Sequence, residues 1–422
     1  MTYGKKGSIM TSKEEICSYA YKYSKFYIDQ NIGEIEKWEN IPFLKKEDIL
    51  DNIEEFISYE YWQLYNQKRL LVKNTSGSTG KHLKIYWDEK DYKKSMLSLW
   101  YYRYKYYGIK PLHKVVYFFT WRAFGDSGED LKEVEEERSL GFSKDNLEDK
   151  RIIEIYRKMQ KFEPDWLLLQ PSIAVLICRC IKKYNLKPIS SVKYIEFSSE
   201  MLFENVRNEV KEIFKCKVAN QYGTNEMNSI AYECPYGNLH CMESNVYTEI
   251  VNEKNEVVHN QEGEICVTSL LNKAMPFIRY RIGDRGKITN QIDCPCGNKN
   301  KILTINSGRN NDQIKTQDGK SINPYVFLKV FEKMNLCLEE KIKQTQVIQE
   351  SYTKFIVNLV IYEEIPVEII MSLFFSFIDE EYLKNCEFCF VTESKLLPDK
   401  KMESYLGLLV KYRKVEVAKC QI

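Results

Sequence analysis

Apolar and aromatic residues recur at helical spacing through Lys13–Asn31, with Ile16, Tyr19, Tyr23 and Phe26 among them, so the pattern predicts an opening helix. A second helix is predicted over Lys45–Glu60, after the turn at Pro42, and a third over the amphipathic stretch Tyr92–Tyr107, stopped by Gly108. Val115–Thr120 is a β-branched and aromatic run, read as a buried strand. Gly125–Glu137 is acidic and glycine-punctuated, and reads as a surface loop. Strand and helix signals then alternate: Trp166–Gln170, Ser172–Tyr184 behind Pro171, Val192–Phe197, Phe203–Phe214 and Lys217–Gln221. That alternation predicts a parallel sheet with crossover helices, whose ligands bind beyond the carboxyl ends of the strands. Two small-residue turns fall there, Ser198-Ser199-Glu200 and Tyr222-Gly223-Thr224. After Asn245 the segments shorten and turn β-rich, as in Tyr247–Val251 and Gly263–Ser269, predicting a β-subdomain. A polar turn at Gly308–Asp312 introduces a last region of mixed helices and strands.

With 422 residues the chain exceeds one ordinary compact domain, and two or three lobes are expected. Basic residues number 62 against 60 acidic ones, a net charge of +2, so no global field favours nucleic acid or a membrane surface. Lys5-Lys6 is followed by no apolar signal region, and no apolar run approaches the roughly 18 residues of a membrane span. A cytoplasmic protein is the expectation. Thirteen cysteines, an odd number in an unsignalled chain, argue against a disulfide framework. Cys178 and Cys180 sit in an apolar stretch and read as small core residues.

Thr75-Ser76-Gly77-Ser78-Thr79-Gly80-Lys81 lies between apolar Leu70–Val72 and strand-like Leu83–Trp87. Glycine lets a main chain curl around an anion, hydroxyls add donors and lysine adds charge, so the run suits a phosphate. A flexible polar surface turn has the same composition. The Walker spacing is not met: Thr75 stands where the first glycine belongs, and His82 rather than Ser or Thr follows Lys81. His82, His113 and His259 have no partner pattern for nucleophilic work.

The stretch resembles instead the phosphate loop of the adenylate-forming enzymes. Its continuation to Ile85 is similar to the phenylacetate-CoA ligase, CapK-like and coenzyme F390 synthetase-like branch, with His82 where proline is usual. Three further motifs follow in the family's order. Gln221-Tyr222-Gly223-Thr224-Asn225-Glu226 resembles the motif whose aromatic residue stacks on adenine and whose glutamate holds magnesium. Those roles fall to Tyr222 and Glu226, while Asn225 departs from the usual Thr or Ser and is expected to offer its amide to the α-phosphate. Pro276-Phe277-Ile278-Arg279-Tyr280-Arg281-Ile282-Gly283-Asp284 resembles the segment whose aspartate accepts from both ribose hydroxyls, a task suited to a carboxylate with two acceptor oxygens. Gly308–Lys315, with Asp318-Gly319-Lys320 and Pro324, resembles the motif whose arginine, here Arg309, contacts the ribose, and Asn311 stands at the hinge position. Lys411 in Lys411-Tyr412-Arg413-Lys414-Val415 resembles the late catalytic lysine, although Val410 replaces a glycine; Lys400 and Lys401 are its alternatives.

The resemblance implies an α/β protein. Residues 1–308 would form a large domain of mixed and parallel sheets flanked by helices, with a helical segment over about 1–65 and a β-subdomain over about 245–308. Residues 309–422 would form a small mobile α+β domain. It implies an acid–thiol ligase or a related amide-forming ligase: Mg2+ and ATP convert a carboxylic acid to acyl-adenylate and pyrophosphate. CoA, a carrier protein or an amine then takes the acyl group. Thr75–Lys81, including Thr79, would grip the phosphates. Ser199, Glu200, Tyr222, Gly223, Thr224, Asn225, Asp284 and Arg309 would contact the nucleotide, with Trp121 and Phe124 near the acyl group. A homodimer is compatible with the resemblance. The rival reading is a repurposed, non-catalytic protein of the same fold serving binding or assembly, to which the departures at Asn225, Asn311 and Val410 point.

Cys234-Pro235-Tyr236-Gly237, His240 and Cys294-Pro295-Cys296-Gly297 read as a zinc site. Three thiolates and one imidazole make a closed tetrahedral set, hence a structural metal, with Cys241 as a substitute ligand. Unrelated buried cysteines are the alternative. Some members of the resembled branch carry a structural metal in this pattern.

Overall fold

A computed structural model describes residues 12–30, 37–74, 83–119, 132–144, 147–289, 293–307, 314–318, 321–322, 325–338, 341–361, 363–393 and 410–412. The chain begins with helices α1 (Lys13–Tyr23), α2 (Lys25–Asp29), α3 (Lys46–Asp51) and α4 (Trp62–Asn66). The single helix expected over Lys13–Asn31 is two. Ser24 between them is extended (φ −114°, ψ 123°), and its hydroxyl donates to the carbonyls of Glu55 and Phe56. The helix expected over Lys45–Glu60 likewise stops at Asn52 and continues as 3-10 turns.

A hairpin follows, β1 (Leu71–Asn74) against β2 (Lys84–Trp87), with Asn74 opposite Lys84 at its connected end. Helix α5 (Glu89–Tyr102) is capped by Asp88, whose carboxylate accepts from Lys90 and Asp91 N–H. It runs into a π turn at Arg103–Tyr107 that ends on Gly108 at φ 74°.

The parallel half of the main sheet comprises β3 (Val115–Phe119), β5 (Ser139–Ser143), β6 (Trp166–Leu169), β7 (Tyr194–Phe197) and the first half of β8 (Lys217–Thr224). Its antiparallel edge is β4 (Glu133–Glu135), which lies inside the segment expected to be loop. Helices α6 (Asp149–Phe162), α7 (Pro171–Lys183) and α8 (Glu204–Phe214) are the crossovers. Their apolar faces, such as Ile152, Ile155, Tyr156 and Met159 on α6, pack into the core beneath this half.

The second half of β8 pairs antiparallel with β9 (Asn228–Glu233). From there the sheet continues through β10 (Leu239–Cys241), β14 (Ile302–Ser307), β13 (Tyr280–Thr289), β12 (Glu262–Ser269) and β11 (Val246–Val251). The antiparallel region thus begins near 228 rather than 245, and it is continuous with the parallel half in one sheet of 12 strands. One strand serves both halves because β8 has eight residues, enough to pair with β7 first and β9 afterwards.

The strands β15 (Ile314–Lys315) and β16 (Ser321–Ile322) pair with each other. Then come α9 (Tyr325–Cys337), β17 (Ile342–Ser351), β18 (Lys354–Ile361), α10 (Val367–Phe377), α11 (Glu381–Lys384), β19 (Glu387–Glu393) and β20 (Val410–Tyr412). Four of these strands form a separate sheet in the order β19-β18-β17-β20. Among the described residues its core, with Phe327, Phe331, Phe355, Phe374 and Phe388, draws only on residues from Ile314 onward.

Candidate active site

Strand β8 carries the second motif out of the parallel sheet. Its register against β9 shifts between Tyr222 and Gly223, a bulge that turns the chain. Gly223 is dictated by space: a Cβ there would stand 1.9 Å from the Asn228 carbonyl oxygen and 2.7 Å from Gln221 Nε2. The turn that follows is closed by Met227 N–H donating to Thr224 Oγ1 at 3.2 Å.

Three contacts from this turn join distant segments. The Tyr222 hydroxyl donates to Asp284 Oδ2 at 2.6 Å, on β13. The Tyr280 hydroxyl donates to Glu226 Oε1 at 3.2 Å. Asn225 Nδ2 donates to the Asn74 carbonyl at 2.8 Å, at the base of the β1–β2 connection that contains Thr75–Lys81. Asn225, expected to offer its amide to a phosphate, here spends it on the main chain beside that connection. Trp87 Nε1–H donates to the Asn225 carbonyl at 3.5 Å from the other side of the hairpin.

The Ser198–Glu200 turn stands beside this one at the carboxyl end of β7. Ser198 Oγ–H donates to Gln221 Oε1 at 2.6 Å, and Gln221 Nε2 donates to Ser229 Oγ at 3.1 Å. Ser199 is held at φ 73°. Glu200, expected at the nucleotide, has both oxygens on the first turn of α7: Oε2 accepts from Ser172 N–H at 2.9 Å and Oε1 from Ser172 Oγ–H at 2.8 Å. A carboxylate at a helix N-terminus answers both the free N–H groups and the helix dipole. Its observed role is to fix the turn.

Thr75–Lys81, Trp121, Phe124, Arg309, Asn311, Lys400 and Lys401 lie outside the described residues. Lys411 is on β20, opposite Ile348 of β17.

The sequence reading gave Arg279 no role. It is 2% exposed and has φ 49°. Its guanidinium pairs with Glu249 at 3.2 Å, donates to the Ile41 carbonyl at 2.6 Å, and lies over the Phe43 ring at 4.0 Å. A second buried pair, Arg103 with Glu196 at 2.5 Å, is completed by the Tyr194 and Tyr232 hydroxyls, which donate to the same carboxylate. Neither pairing was readable, since each joins residues on separate elements.

The metal-ligand set comes together. One donor atom from each of Cys234, His240, Cys294 and Cys296 lies within 4.8 Å of all the others. Two matching turns bring the thiols in: Gly237 N–H donates to Cys234 O, and Gly297 N–H to Cys294 O, both at 2.9 Å. Both glycines have positive φ, 80° and 75°, which favours glycine. His240 Nδ1 lies 3.1 Å from the Asn300 carbonyl, the contact that directs Nε2 inward. Nε2 is 3.3 Å from Cys296 Sγ. The Cys294 thiol is pulled down to about 6: burial opposes this, but hydrogen bonds from the Cys296 backbone, Asn238 and His240 outweigh it. The donor number, types and spacing fit zinc. Cys241 is not of this group; it is buried in the main core.

No family model matches the chain. Over 369 residues it is 24% identical to protein CapK of Staphylococcus aureus, spanning 82% of this chain and 76% of that protein. Over 163 residues it is 26% identical to a phenylacetate-coenzyme A ligase of Thermus thermophilus, spanning 37% of this chain and 36% of the other. Among solved structures, a 2-hydroxyisobutyryl-CoA ligase in the postadenylation state, in complex with R3-HIB-AMP, matches with a TM-score of 0.72 at 16% identity. That match covers 95% of this chain and 88% of the other. Among the described residues no helix is long and apolar enough to cross a membrane.

Proposed function

We propose that this chain, which belongs to the adenylate-forming superfamily, activates a carboxylic acid with ATP and passes the acyl group to an acceptor. A carboxylate oxygen attacks the α-phosphorus, pyrophosphate leaves, and a mixed anhydride, the acyl-adenylate, remains. The acceptor's thiol or amine then attacks the acyl carbon and AMP leaves. CoA fits the named relatives, phenylacetate-coenzyme A ligase and 2-hydroxyisobutyryl-CoA ligase; a carrier-protein thiol or an amine would serve the same second step.

The observation that carries this reading is the meeting of three sequence-distant segments. Tyr222 bonds Asp284, Tyr280 bonds Glu226, and Asn225 bonds the base of the Thr75–Lys81 connection. An aromatic ring, a carboxylate for ribose, a carboxylate for a cation and Asn74, the residue that leads into the glycine-rich stretch, thus share one locality. Catalysis here is positioning and charge neutralisation. Tyr222 would flank adenine, Asp284 and Arg309 would hold the ribose, and Thr75–Lys81, with Thr79, would hold the leaving pyrophosphate. Glu226 is the residue suited to hold Mg2+, which when bound offsets phosphate charge. Lys411 would act at the transferring centre, with Asn311 as the hinge. Cys234, His240, Cys294 and Cys296 would hold a structural Zn2+, since the set leaves no open position for chemistry.

The test is pyrophosphate release by the full chain with Mg-ATP and a broad panel of carboxylates, followed by acyl transfer to CoA. Release that Glu226→Ala abolishes supports the reading. Silence across the panel, with no thermal stabilisation by Mg-ATP, overturns it in favour of a binding or assembly role.

A further inference from the structure

We propose that Tyr280 is a positioning residue, whose hydroxyl fixes the Glu226 carboxylate for the nucleotide's metal, and that the N-terminal segment sets where that hydroxyl stands. This rests on the adenylation reading above.

Tyr280 is 3% exposed and Glu226 8%. Glu226 follows a bulged strand end on a turn, so its side chain needs an external contact to select one rotamer. The Tyr280 hydroxyl supplies one at Oε1, and the second oxygen is the one assigned here to the cation. A phenol gives the carboxylate a donor without adding a competing charge.

Tyr280 is itself held from both sides. Leu44 N–H donates to the Arg279 carbonyl at 3.0 Å, and Arg281 N–H donates to the Leu44 carbonyl at 2.9 Å. The two bonds bracket Tyr280 and place Leu44 beside it as a parallel bridge. One residue earlier, Arg279 has a left-handed φ of 49°. Such a conformation persists only where the surroundings over-determine it. Here Glu249, the Ile41 carbonyl and the Phe43 ring do so. Further back, the Tyr27 hydroxyl accepts from Ile278 N–H at 3.2 Å and donates to the Pro276 carbonyl at 3.0 Å. Tyr27, Ile41, Phe43 and Leu44 thus aim the strand that carries both Tyr280 and Asp284. Arg279 lies in the middle of the clamp, and its side chain turns away from Tyr280 toward the N-terminal segment.

The experiment compares the full chain with Tyr280→Phe, which keeps the ring packed on Phe277, 5.3 Å away, and removes only the hydroxyl. Thermal stabilisation by a non-hydrolysable ATP analogue is titrated with Mg2+. The half-saturating Mg2+ should rise about tenfold, the range of a hydrogen bond to a charged group. Nucleotide affinity at saturating Mg2+ should stay as in the parent, while the ligand-free Tm falls by a few degrees because a buried carboxylate loses its donor. In a Glu226→Gln background, adding Tyr280→Phe should cause no further rise, because the two act as one unit. Arg279→Lys, which keeps the charge but loses the fork, should shift the Mg2+ requirement in the same direction. An unchanged Mg2+ requirement in Tyr280→Phe, with the parent showing Mg2+-dependent stabilisation, overturns the positioning role alone. A parent with no Mg2+-dependent stabilisation overturns the adenylation reading and this inference with it.

Discussion

Tyr222 and Asp284 stand 62 residues apart in sequence, and the hydroxyl of one lies 2.6 Å from the carboxylate of the other. The bond ties the turn after β8 to β13 across the central part of the sheet. It brings the ring read as the adenine platform against the carboxylate read as the ribose acceptor. Asp284→Ala should therefore raise the ATP KM more than it lowers kcat, by about tenfold or more, since it removes charge-assisted hydrogen bonds. Steady-state pyrophosphate release against ATP concentration checks this. An unchanged ATP KM would remove Asp284 from the nucleotide site.

Gly223 has no room for a side chain, because the nearest obstacle is the Asn228 backbone oxygen, which cannot swing aside. Gly223→Ala should destabilise by about 3 kcal/mol or more, at the upper end of overpacking costs. Denaturant unfolding measures it. A loss below about 1 kcal/mol would mean the bulge relaxes freely.

Zinc should copurify at about one equivalent, as expected of a closed four-ligand site. Elemental analysis gives the ratio. Chelation, or Cys294→Ser, should lower the Tm and loosen the turns around Gly237 and Gly297. A zinc-free protein with an undiminished Tm contradicts the structural role.

Asp149, at the start of α6, bonds Arg179 at 2.6 Å, Lys183 at 3.0 Å and the Tyr184 hydroxyl at 3.0 Å. Partial burial pushes its carboxyl up, but Lys183, Arg179 and Tyr184 outweigh that and hold it below the usual carboxylate range. A depressed folded-state pKa stabilises above the unfolded value of about 3.9, and that stability is lost as pH falls through the lower folded value. Asp149→Asn should cost about 1–2 kcal/mol at neutral pH. The difference from the parent should shrink steadily below about pH 4. Urea unfolding across that range tests both; a gap independent of pH would show that packing, not charge, is lost.

Long periodic segments were legible in the sequence because their burial pattern is local. The crossover helices α7 and α8 and the parallel strands beside them fall where the alternation placed them, whereas α6 lies outside the predicted elements. Breaks caused by distant partners were not. Ser24 interrupts the opening helix because its hydroxyl reaches the carbonyls of Glu55 and Phe56. The strand Glu133–Glu135 exists because β5 offers an edge, while its own acidic sequence reads as loop.

The sequence by itself determined the order of the motifs, the failed Walker spacing, and a zinc-type donor set whose four members do converge. Residue type and spacing suffice for the Walker and zinc readings, because donor type and main-chain freedom belong to the residue; the motifs were legible only through the resemblance to the adenylate-forming enzymes. Only the tertiary structure decided what those residues are bonded to. It gave the Asn225 amide to Asn74, the Glu200 carboxylate to the head of α7, and the Glu226 carboxylate to Tyr280. A hydrogen bond needs two groups within about 3 Å, and which side chains stand that close is set by the sheet order and by the bulge at Gly223. No local stretch of sequence carries that information.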